Sequence, residues 1–388
     1  MFYCQLCNSV DAIFQIALEK YPLTNIYTDS YDAGQKYLFD ATLYQCTCGH
    51  VQLRSERNMS AIYAADYPYN GEATTVKARR ERGIGLINKH IGIIEPNCIV
   101  DIGCGQLSMI TKLGECYQNS RLIAMDPVPL QTELKNVRIE FINEYFNGQL
   151  VNINVSNRPN LVILDNVLEH INDLKVFIDG VLRATCKGDY IYVCVPSFDL
   201  IYRKLQFQEI IHEHIHYFTL NELNKFFSDN GFSVVESFSN QDEGRAYNYH
   251  IFIRSDEQKI LSNKNNFSLE FNLDSSFKLY SETLDICKRS IDSTNGPIWG
   301  VCASELTPTL GYFMKSNFHF CNGILDTSSH KIGKYMVNIE PRILAMGEIS
   351  HIERDAHFFI TAPNLTYPVL KNLKALNAEN FIIPMFIF

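Results

Sequence analysis

An acid inside a glycine turn is the first feature of the chain that could do chemistry. Residues 100–105 read VDIGCG, and they end an apolar run and precede a helical segment. Glycine has no Cβ, so the backbone of such a turn can approach a ligand closely. A dinucleotide site would have a further glycine at position 108, where this chain has Ser108. Asp101 instead suits a cationic amino group that lies over the turn.

A second acid follows at the end of the next apolar run. A carboxylate at Asp126 can accept two hydrogen bonds from a ribose diol. A ligand with both an amino-acid group and a ribose is S-adenosylmethionine rather than NAD, because NAD has no amino-acid group. The simpler alternative is a structural turn, with Asp126 as a helix cap. The predicted cofactor-binding residues are Asp101, Gly103, Cys104, Gly105, Asp126 and, after the next run, Asn166.

Residues 211–218, IHEHIHYF, bring three histidines and a glutamate together. The HEHIH segment formally satisfies the H-E-x-x-H pattern of zinc proteases, which needs both histidines on one helix. However, Thr219 and Glu222 form a predicted capping box, so the helix is expected to begin after the histidines. In a loop, a histidine with a pKa of about 6.5 can act as a general base, and a neighbouring carboxylate can orient it. We expect His212 and His216 to be structural.

Four of the twelve cysteines lie in the first 48 residues. The pair Cys4 and Cys7 has C-x-x-C spacing, whereas Cys46 and Cys48 are separated by one residue. Four thiolates suit a closed tetrahedral zinc site, which has a structural role and no open position for catalysis. His50 could take the place of Cys46, and free thiols are the alternative to metal. This first segment is turn-rich and too small for a large core, so a metal would stabilise it.

The elements that would position these residues follow an α/β pattern. Strands alternate with helical-length segments, which is typical of a parallel, doubly wound sheet. A polar stretch at 255–266 reads as a linker that leads into a helix at about 275–290. A second α/β pattern then follows. The predicted strands are 98–102, 122–125, 161–164 and 190–195 in the first pattern, and 298–303, 323–326, 358–361 and 381–385 in the second.

Composition limits the classes of partner. The 388 residues include 34 Lys and Arg against 43 Asp and Glu, a net charge of −9. An acidic chain of this kind is a poor candidate for non-specific binding to nucleic acid or to an anionic membrane. No apolar run approaches the roughly 20 residues that span a bilayer. The first residues do not read as a signal peptide, so we expect a cytoplasmic protein, and the oligomeric state stays open.

Taken together, these motifs resemble the deoxysugar C-methyltransferases that act on nucleotide-linked 4-ketohexoses. The resemblance covers nearly the whole length. Its most specific strings are H-E-H-x-x-Y-F at 212–218 and D-x-x-x-x-K-x-G-x-Y at 326–335. Further matching segments are CQLC at 4–7, PLTN at 22–25, CGHVQL at 48–53, DYPY at 66–69 and NVLEHI at 166–171.

The resemblance implies an α/β fold in three parts. We place a small zinc-binding lobe at 1–60, a class I methyltransferase domain with a doubly wound sheet at 61–255, and a second, Rossmann-like domain at 256–388. The implied cofactors are S-adenosylmethionine and structural Zn²⁺. The implied partner is a nucleotide-activated sugar substrate, with neither nucleic acid nor membrane.

The resemblance also assigns roles. His214 corresponds to the catalytic base and Glu213 to its acidic neighbour. Tyr69, or else Tyr67, and His170 correspond to substrate-binding positions. The implied mechanism begins when His214 removes the proton from the carbon next to the sugar ketone. The resulting enolate carbon then attacks the sulfonium methyl group, with both reactants held in near-attack geometry.

The chain departs from the family at several positions. Ile211 stands where the family usually has a tyrosine that could contact the ketone, and Leu107 replaces a glycine after the first turn. The segment 300–306 lacks the family's glycine-rich, lysine-containing turn. Because of Ile211, methylation of a sugar oxygen by the same scaffold is the alternative activity. A protein that keeps the fold in a non-catalytic role is the alternative from another class.

Overall fold

The protein is described here from a computed structural model. The structure describes residues 2–55, 74–130, 138–148, 159–240, 245–255, 272–348, 355–374 and 378–384. Tyr67 and Tyr69, the two tyrosines predicted to bind substrate, and most of the predicted linker lie outside the described residues.

The N-terminal part is built on an antiparallel sheet. Its elements are β1 (Ala12–Pro22), β2 (Tyr27–Thr28), α1 (Tyr31–Gly34), β3 (Leu38–Cys46) and β4 (Val51–Ser55). In the sheet β1 pairs with β3, and β3 pairs with β4. The prediction of a turn-rich segment is therefore wrong for these residues. In β1, residues 14–19 alternate between more buried and exposed positions, which is the period-two pattern of a half-buried strand and not of a turn-rich segment.

The central part contains the predicted parallel sheet. Its elements are α2 (Thr74–Ile91), β5 (Cys98–Ile102), α3 (Ser108–Cys116), β6 (Arg121–Met125), β7 (Ile139–Ile142), β8 (Leu161–Asp165), α4 (Leu174–Ala184), β9 (Tyr190–Pro196), α5 (Phe198–Arg203), β10 (His216–Tyr217), α6 (Leu220–Asp229), β11 (Phe232–Asn240) and β12 (Tyr247–Arg254). The four strands predicted here are confirmed, with ends that differ by one residue at most.

The strand order of the central sheet is β11-β12-β9-β8-β5-β6-β7. Strands β9, β8, β5, β6 and β7 are parallel, whereas β12 runs antiparallel to β9. The chain moves outward from β5 to β7 and then returns to β8 on the other side of β5. Strand order reverses at this point, and in open α/β sheets ligands bind at the carboxyl ends of the strands beside such a reversal.

Local sequence explains the helices that flank this sheet. At α4, the Asp173 side chain accepts a hydrogen bond from the Val176 N–H and caps the first turn, while the apolar face with Phe177 and Ile178 is buried. At α6, Thr219 and Glu222 form both bonds of the capping box. The predicted start of α6 is thus confirmed, and the three histidines before it do not lie on a helix.

The C-terminal part is a second α/β unit. Its elements are α7 (Leu273–Asp292), β13 (Ile298–Val301), α8 (Thr307–Phe313), β14 (Ile324–Asp326), β15 (Tyr335–Met336), β16 (Ile343–Ala345), β17 (His357–Ile360), α9 (Thr366–Lys374) and β18 (Asn380–Ile382). The parallel sheet has the order β16-β14-β13-β17-β18, which matches the first five strands of a dinucleotide-binding fold of order 3-2-1-4-5-6. All four predicted strands are confirmed, whereas the short strands β15 and β16 were not predicted.

The N-terminal sheet packs mainly against the C-terminal unit. Leu18, Tyr21 and Leu43 belong to the same buried cluster as Phe277 and Tyr280 of α7. A small two-stranded sheet pairs β2 with β15, and β10 of the central part pairs with β4. The N-terminal lobe therefore shares its core with another part of the chain, and that burial stabilises it in addition to any metal.

Candidate active site

The glycine turn after β5 has the conformation that only glycine adopts without strain. Gly103 has φ +70° and Gly105 has φ +54°. A Cβ on Gly103 would lie 2.6 Å from Val167 Cγ2. Leu107, which stands where the resembled family has glycine, also has a positive φ of +66°. The family's glycine there is thus explained by backbone conformation, and this chain tolerates the strain of a leucine.

Asp101 is the penultimate residue of β5, and its carboxylate is buried. Its Oδ2 accepts no hydrogen bond from the described residues. Burial, with Asp165 and Asp126 nearby, raises the pKa of Asp101 well above its ordinary value. Buried carboxylates are normally paired, so this orphaned oxygen fits the ammonium group of an amino-acid ligand.

Asp126 is held over the same turn by two backbone bonds. Its Oδ2 accepts from the Gly105 N–H at 2.8 Å and its Oδ1 from the Val128 N–H at 2.8 Å. Residues 127–130 are not helical, so the helix-cap alternative is not supported within the described residues. Asn166 follows β8 with φ +58°, and its side-chain Oδ1 is buried without a partner among the described residues. These groups could hold a ribose and its attached base.

A cavity of about 710 Å³ connects all three parts of the chain. On one side the cavity is lined by Asp101, Cys104 and Asp126, which lie at or beside the glycine turn. His214 of the histidine loop also lines it. Ser304, Glu305, Lys331, Asn25 and Tyr27 bring the C-terminal and N-terminal parts to the same walls. Binding pockets for small molecules have volumes of roughly 300–1,000 Å³, so the cavity has the size of a ligand-binding site.

His214 presents an unengaged imidazole to this cavity. Its ring nitrogens make no hydrogen bond that the structure records with another described residue, and its ring packs edge-on to His170 at a centroid distance of 5.0 Å. Burial, with His170 and Arg245 nearby, lowers the pKa of His214 well below its ordinary value. The imidazole is therefore neutral at physiological pH, which is the form that can accept a proton.

Glu213 and His170 hold the loop in place. Thr24 Oγ1 donates to Glu213 Oε1 at 3.0 Å, while Glu213 Oε2 is buried with no partner among the described residues. Burial raises the pKa of Glu213 to about 7. His170 Nδ1 lies 2.7 Å from the Glu213 carbonyl oxygen and must donate to it, which leaves Nε2 unprotonated in the neutral ring. Burial lowers the pKa of His170 to about 4, so the ring is neutral.

The other two histidines of the loop are fully engaged. His212 bonds through Nδ1 to Ser55 Oγ and through Nε2 to the Tyr21 carbonyl oxygen. His216 bonds through Nδ1 to His50 and through Nε2 to the Ile171 carbonyl oxygen. A histidine whose two nitrogens are both bonded within the protein is not available as a metal ligand. The zinc-protease interpretation therefore has no support from this loop, and the structural roles expected for both residues agree with these bonds.

A charged group that the sequence analysis missed lies on the same wall. Arg245 Nη1 is 2.6 Å from Glu305 Oε1 of the C-terminal part, and its Nε is 3.5 Å from Glu209 Oε2. Burial raises the pKa of Glu209 to about 7. These pairs join residues far apart in the chain, so no spacing pattern could have predicted them.

The four N-terminal cysteines come together as predicted. Cys4 Sγ lies 3.7 Å from Cys48 Sγ, and Cys7 Sγ lies 3.4 Å from Cys46 Sγ. All four sulfur atoms are within 4.8 Å of one another. Sulfurs bound to one tetrahedral zinc at about 2.3 Å lie close together in this way, so the donor set fits the metal. His50 bonds to His216 instead, so the alternative in which His50 replaces Cys46 is not supported.

The segment that contains the glycine turn and most of the central sheet matches a known protein family. Residues 77–237 match the family model described as a methyltransferase domain. The strand order and this match define a methyltransferase domain with a class I fold in the central part of the chain. Among the described residues, no helix combines the length and the apolar character needed to cross a bilayer.

One curated relative of the chain is a C-methyltransferase. The chain is 24% identical over 242 residues to the C-methyltransferase NovU of Streptomyces niveus, which covers 60% of this chain. The chain spans 56% of the length of that relative. The resemblance to a C-methyltransferase family that the sequence predicts is confirmed by this match, as is the methyltransferase class.

Two solved structures that the chain matches are methyltransferases. N-methyltransferase NodS from Bradyrhizobium japonicum, in complex with S-adenosyl-L-homocysteine, has a TM-score of 0.36 and 15% identity, and the match covers 47% of this chain and 89% of that one. The 1,6-didemethyltoxoflavin-N1-methyltransferase of Burkholderia thailandensis has a TM-score of 0.37 and 15% identity, over 47% of this chain and 80% of that one.

Proposed function

We propose that the protein is an S-adenosylmethionine-dependent C-methyltransferase that acts on the carbon next to the ketone of a nucleotide-activated deoxy-ketosugar. The single observation that carries the proposal is the neutral, unengaged imidazole of His214 on the wall of the cavity that also contains Asp101 and Asp126. A base and a cofactor site that share one cavity are what proton removal followed by methyl transfer requires.

The residues of the turn fit the cofactor. Asp101 would hold the ammonium group, Asp126 the ribose hydroxyls and Asn166 Oδ1 a further polar group, while Gly103 and Gly105 leave space for close approach. When bound, S-adenosylmethionine supplies an electrophilic methyl group to the substrate carbon.

The histidine loop performs the proton chemistry on the sugar. His214 takes the proton from the carbon next to the ketone, and the electron pair of that C–H bond becomes the enolate. Glu213, with a pKa of about 7, can give or accept a hydrogen bond at a sugar oxygen through its Oε2. His170 holds the Glu213 carbonyl oxygen and thereby the loop. General-base catalysis of this kind contributes roughly 10²–10⁴ in rate.

The product identifies the activity. The protein would be incubated with S-adenosylmethionine and a panel of 4-keto deoxysugar nucleotides, and the products analysed by NMR. A new C–CH₃ signal on the carbon next to the ketone is the expected result. A panel in which no member is methylated contradicts the proposal.

An O-methyltransferase is the second candidate, and Ile211 favours it. Ile211 lines the cavity and has no hydroxyl to contact a ketone, whereas Tyr217 Oη is occupied by the Ile211 backbone. The same NMR spectra separate the candidates, because a methyl group on oxygen and one on carbon differ in chemical shift and in coupling.

We also propose that Cys4, Cys7, Cys46 and Cys48 bind one structural Zn²⁺. Elemental analysis of the purified protein should give one zinc per chain, and Cys46→Ser should lose it, whereas Cys116→Ser, which removes a thiol outside the cluster, should keep it. Zinc binding by four thiolates contributes on the order of 10 kcal/mol to folding, so the Cys46 variant should also melt at a lower temperature. Full-length protein without zinc but with native stability would contradict the assignment.

A further inference from the structure

Glu169 lies directly behind the proposed base. It occupies the single-turn helix Leu168–His170 that follows β8, and its backbone carbonyl oxygen accepts the Ile215 N–H at 2.7 Å. This bond ties the turn to the loop that carries His214. The Glu169 side chain is not among the residues that line the cavity, although His170 and His214 on either side of it are.

The carboxyl group of Glu169 is in an unusual state for a buried acid. The residue is 0% exposed, and neither side-chain oxygen accepts a hydrogen bond from another described residue. One of these oxygens, a ring nitrogen of His170 and a ring nitrogen of His214 all lie within 4.8 Å of one another. Buried carboxyl groups are almost always paired, so an orphaned one next to a base calls for a function.

We propose that Glu169 is a positioning residue of this site, whose carboxylate accepts the proton that His214 removes from the substrate. The inference rests on the proposed function. The His214 N–H bond breaks, an O–H bond forms on Glu169, and the imidazole returns to its neutral form. After the product leaves, Glu169 returns the proton to His214, which lines the cavity and releases it to water there, so the site is restored without any other reactant.

The electrostatics of the site support this direction of transfer. Burial opposes a positive charge on His214, as its lowered pKa shows. Burial also raises the pKa of Glu169 to about 8, so Glu169 holds a proton more tightly than His214 does. The separation exceeds a hydrogen bond, but catalytic hydrogen bonds are often long in the absence of substrate and tighten when it binds.

A divalent cation is the competing explanation for the same three groups. Two imidazoles and a carboxylate are a common ligand set. A cation there would need Glu169 ionised and would occupy the His214 nitrogen, which would leave the substrate without this base. Metal binding and proton transfer therefore make opposite predictions for the same experiment.

Exchange of the substrate proton in heavy water, with S-adenosylhomocysteine bound, measures the step in isolation. Glu169→Gln should slow exchange by about 10²-fold while the affinity for S-adenosylhomocysteine stays the same. The Gln side chain is an isostere of the neutral acid, so the fold should persist. Glu236→Gln, at a partly exposed carboxylate paired with Lys89, is the matched control and should exchange at the wild-type rate.

The pH profile provides a readout that a merely structural role would not change. Only the carboxylate form can accept a proton, so the wild-type rate should rise with pH through the Glu169 pKa of about 8, and the Gln variant should lack this rise. If the variant fails to bind S-adenosylhomocysteine, the wild-type profile decides alone, and a flat profile overturns the inference.

Two further results would also overturn it. The first is a Gln variant that exchanges at the wild-type rate with an unchanged profile. The second is exchange that stops with EDTA and returns with Mg²⁺ or Zn²⁺, which would assign the three groups to a metal. Wild-type protein that shows no exchange with any ketosugar contradicts the proposed function itself, so the two failures are distinguishable.

Discussion

The chain contains two strand–turn–helix–strand units. Their turns share a backbone hydrogen bond but have different side chains around them. In the central unit the Gly103 N–H donates to the Met125 carbonyl oxygen, and in the C-terminal unit the Cys302 N–H donates to that of Leu325. Each partner is followed by an aspartate that ends its strand. The two turns therefore correspond at this bond, but Asp126 accepts from the second residue after Gly103, whereas Asp326 accepts from the first residue after Cys302.

The aspartates at the ends of the second strands are used alike. Asp126 accepts from Gly105 N–H and Val128 N–H, and Asp326 accepts in the same way from Ala303 N–H at 2.7 Å and Ser328 N–H at 2.8 Å. A carboxylate in this position thus stabilises its turn whether or not a ligand is bound. On its own it does not indicate a binding site.

The groups above the two turns differ. The position of Asp101 in the first unit is taken by Gly300 in the second, which leaves no acid for a ligand ammonium group. In addition, Lys331 Nζ donates to the Ala303 carbonyl oxygen at 2.9 Å and lies 3.8 Å from Asp326 Oδ2. The second turn is therefore satisfied by the protein itself, and the C-terminal unit contributes a wall of the cavity.

The largest expected effect is on cofactor affinity. Asp101→Asn removes a charged hydrogen-bond acceptor worth about 1.5–3 kcal/mol, so it should weaken S-adenosylhomocysteine binding by roughly 10–10²-fold in calorimetry. Asp326→Asn removes a carboxylate from the second turn, where the protein itself satisfies it, and should leave the affinity unchanged, with one ligand bound per chain. Equal weakening by both variants, or two ligands per chain, would break the comparison.

The next largest expected effect is on the free energy of unfolding, through the backbone conformation of the two turns. Gly103→Ala should lower the free energy of unfolding by about 1–3 kcal/mol, because the residue has a positive φ and its Cβ would meet Val167. Cys302 already has φ +79° with a side chain. Cys302→Gly should therefore change stability by less than about 1 kcal/mol. Urea titration of both variants measures the difference, and an unaffected Gly103 variant would show that the first turn is not tightly packed.

The smallest effect is a gain in stability of the ligand-free protein. Because burial raises the pKa of Asp101, the folded state binds a proton that the unfolded state has released, and wild-type stability falls as pH rises above the ordinary aspartate pKa. Asp101→Asn has no such ionisation and should be more stable by on the order of 1 kcal/mol at neutral pH. Thermal melts at several pH values test this, and a less stable variant would mean that the Ile110 N–H and Arg80 stabilise the ionised carboxylate by more than its burial costs.

Much of the fold could be predicted because its signals are local. The buried parallel strands are short apolar runs, and the start of α6 is encoded by Thr219 and Glu222 within four residues. The cluster of four cysteines followed from their spacing. The antiparallel sheet of the N-terminal part could not be predicted, because its residues such as Leu18 and Leu43 are buried by α7, more than 200 positions away.

Some residues of the candidate active site could be predicted from local sequence, and others could not. The acids at 101 and 126 follow from strand ends, and the position of His214 in the cavity agrees with the prediction from the family resemblance. Arg245 and Glu305 meet only through the packing of two units, and the isolation of Glu169 depends on what surrounds it in three dimensions. Neither property has a sequence pattern.

The central claim is that His214 is the base of a ketosugar methyltransferase. The most direct test is the rate at which the substrate proton exchanges in heavy water, for the wild type and for His214→Ala, each saturated with S-adenosylhomocysteine. We expect exchange in the wild type, a loss of roughly 10²–10⁴-fold in the variant, and equal ligand affinity in both. Exchange that persists in the variant would contradict the account.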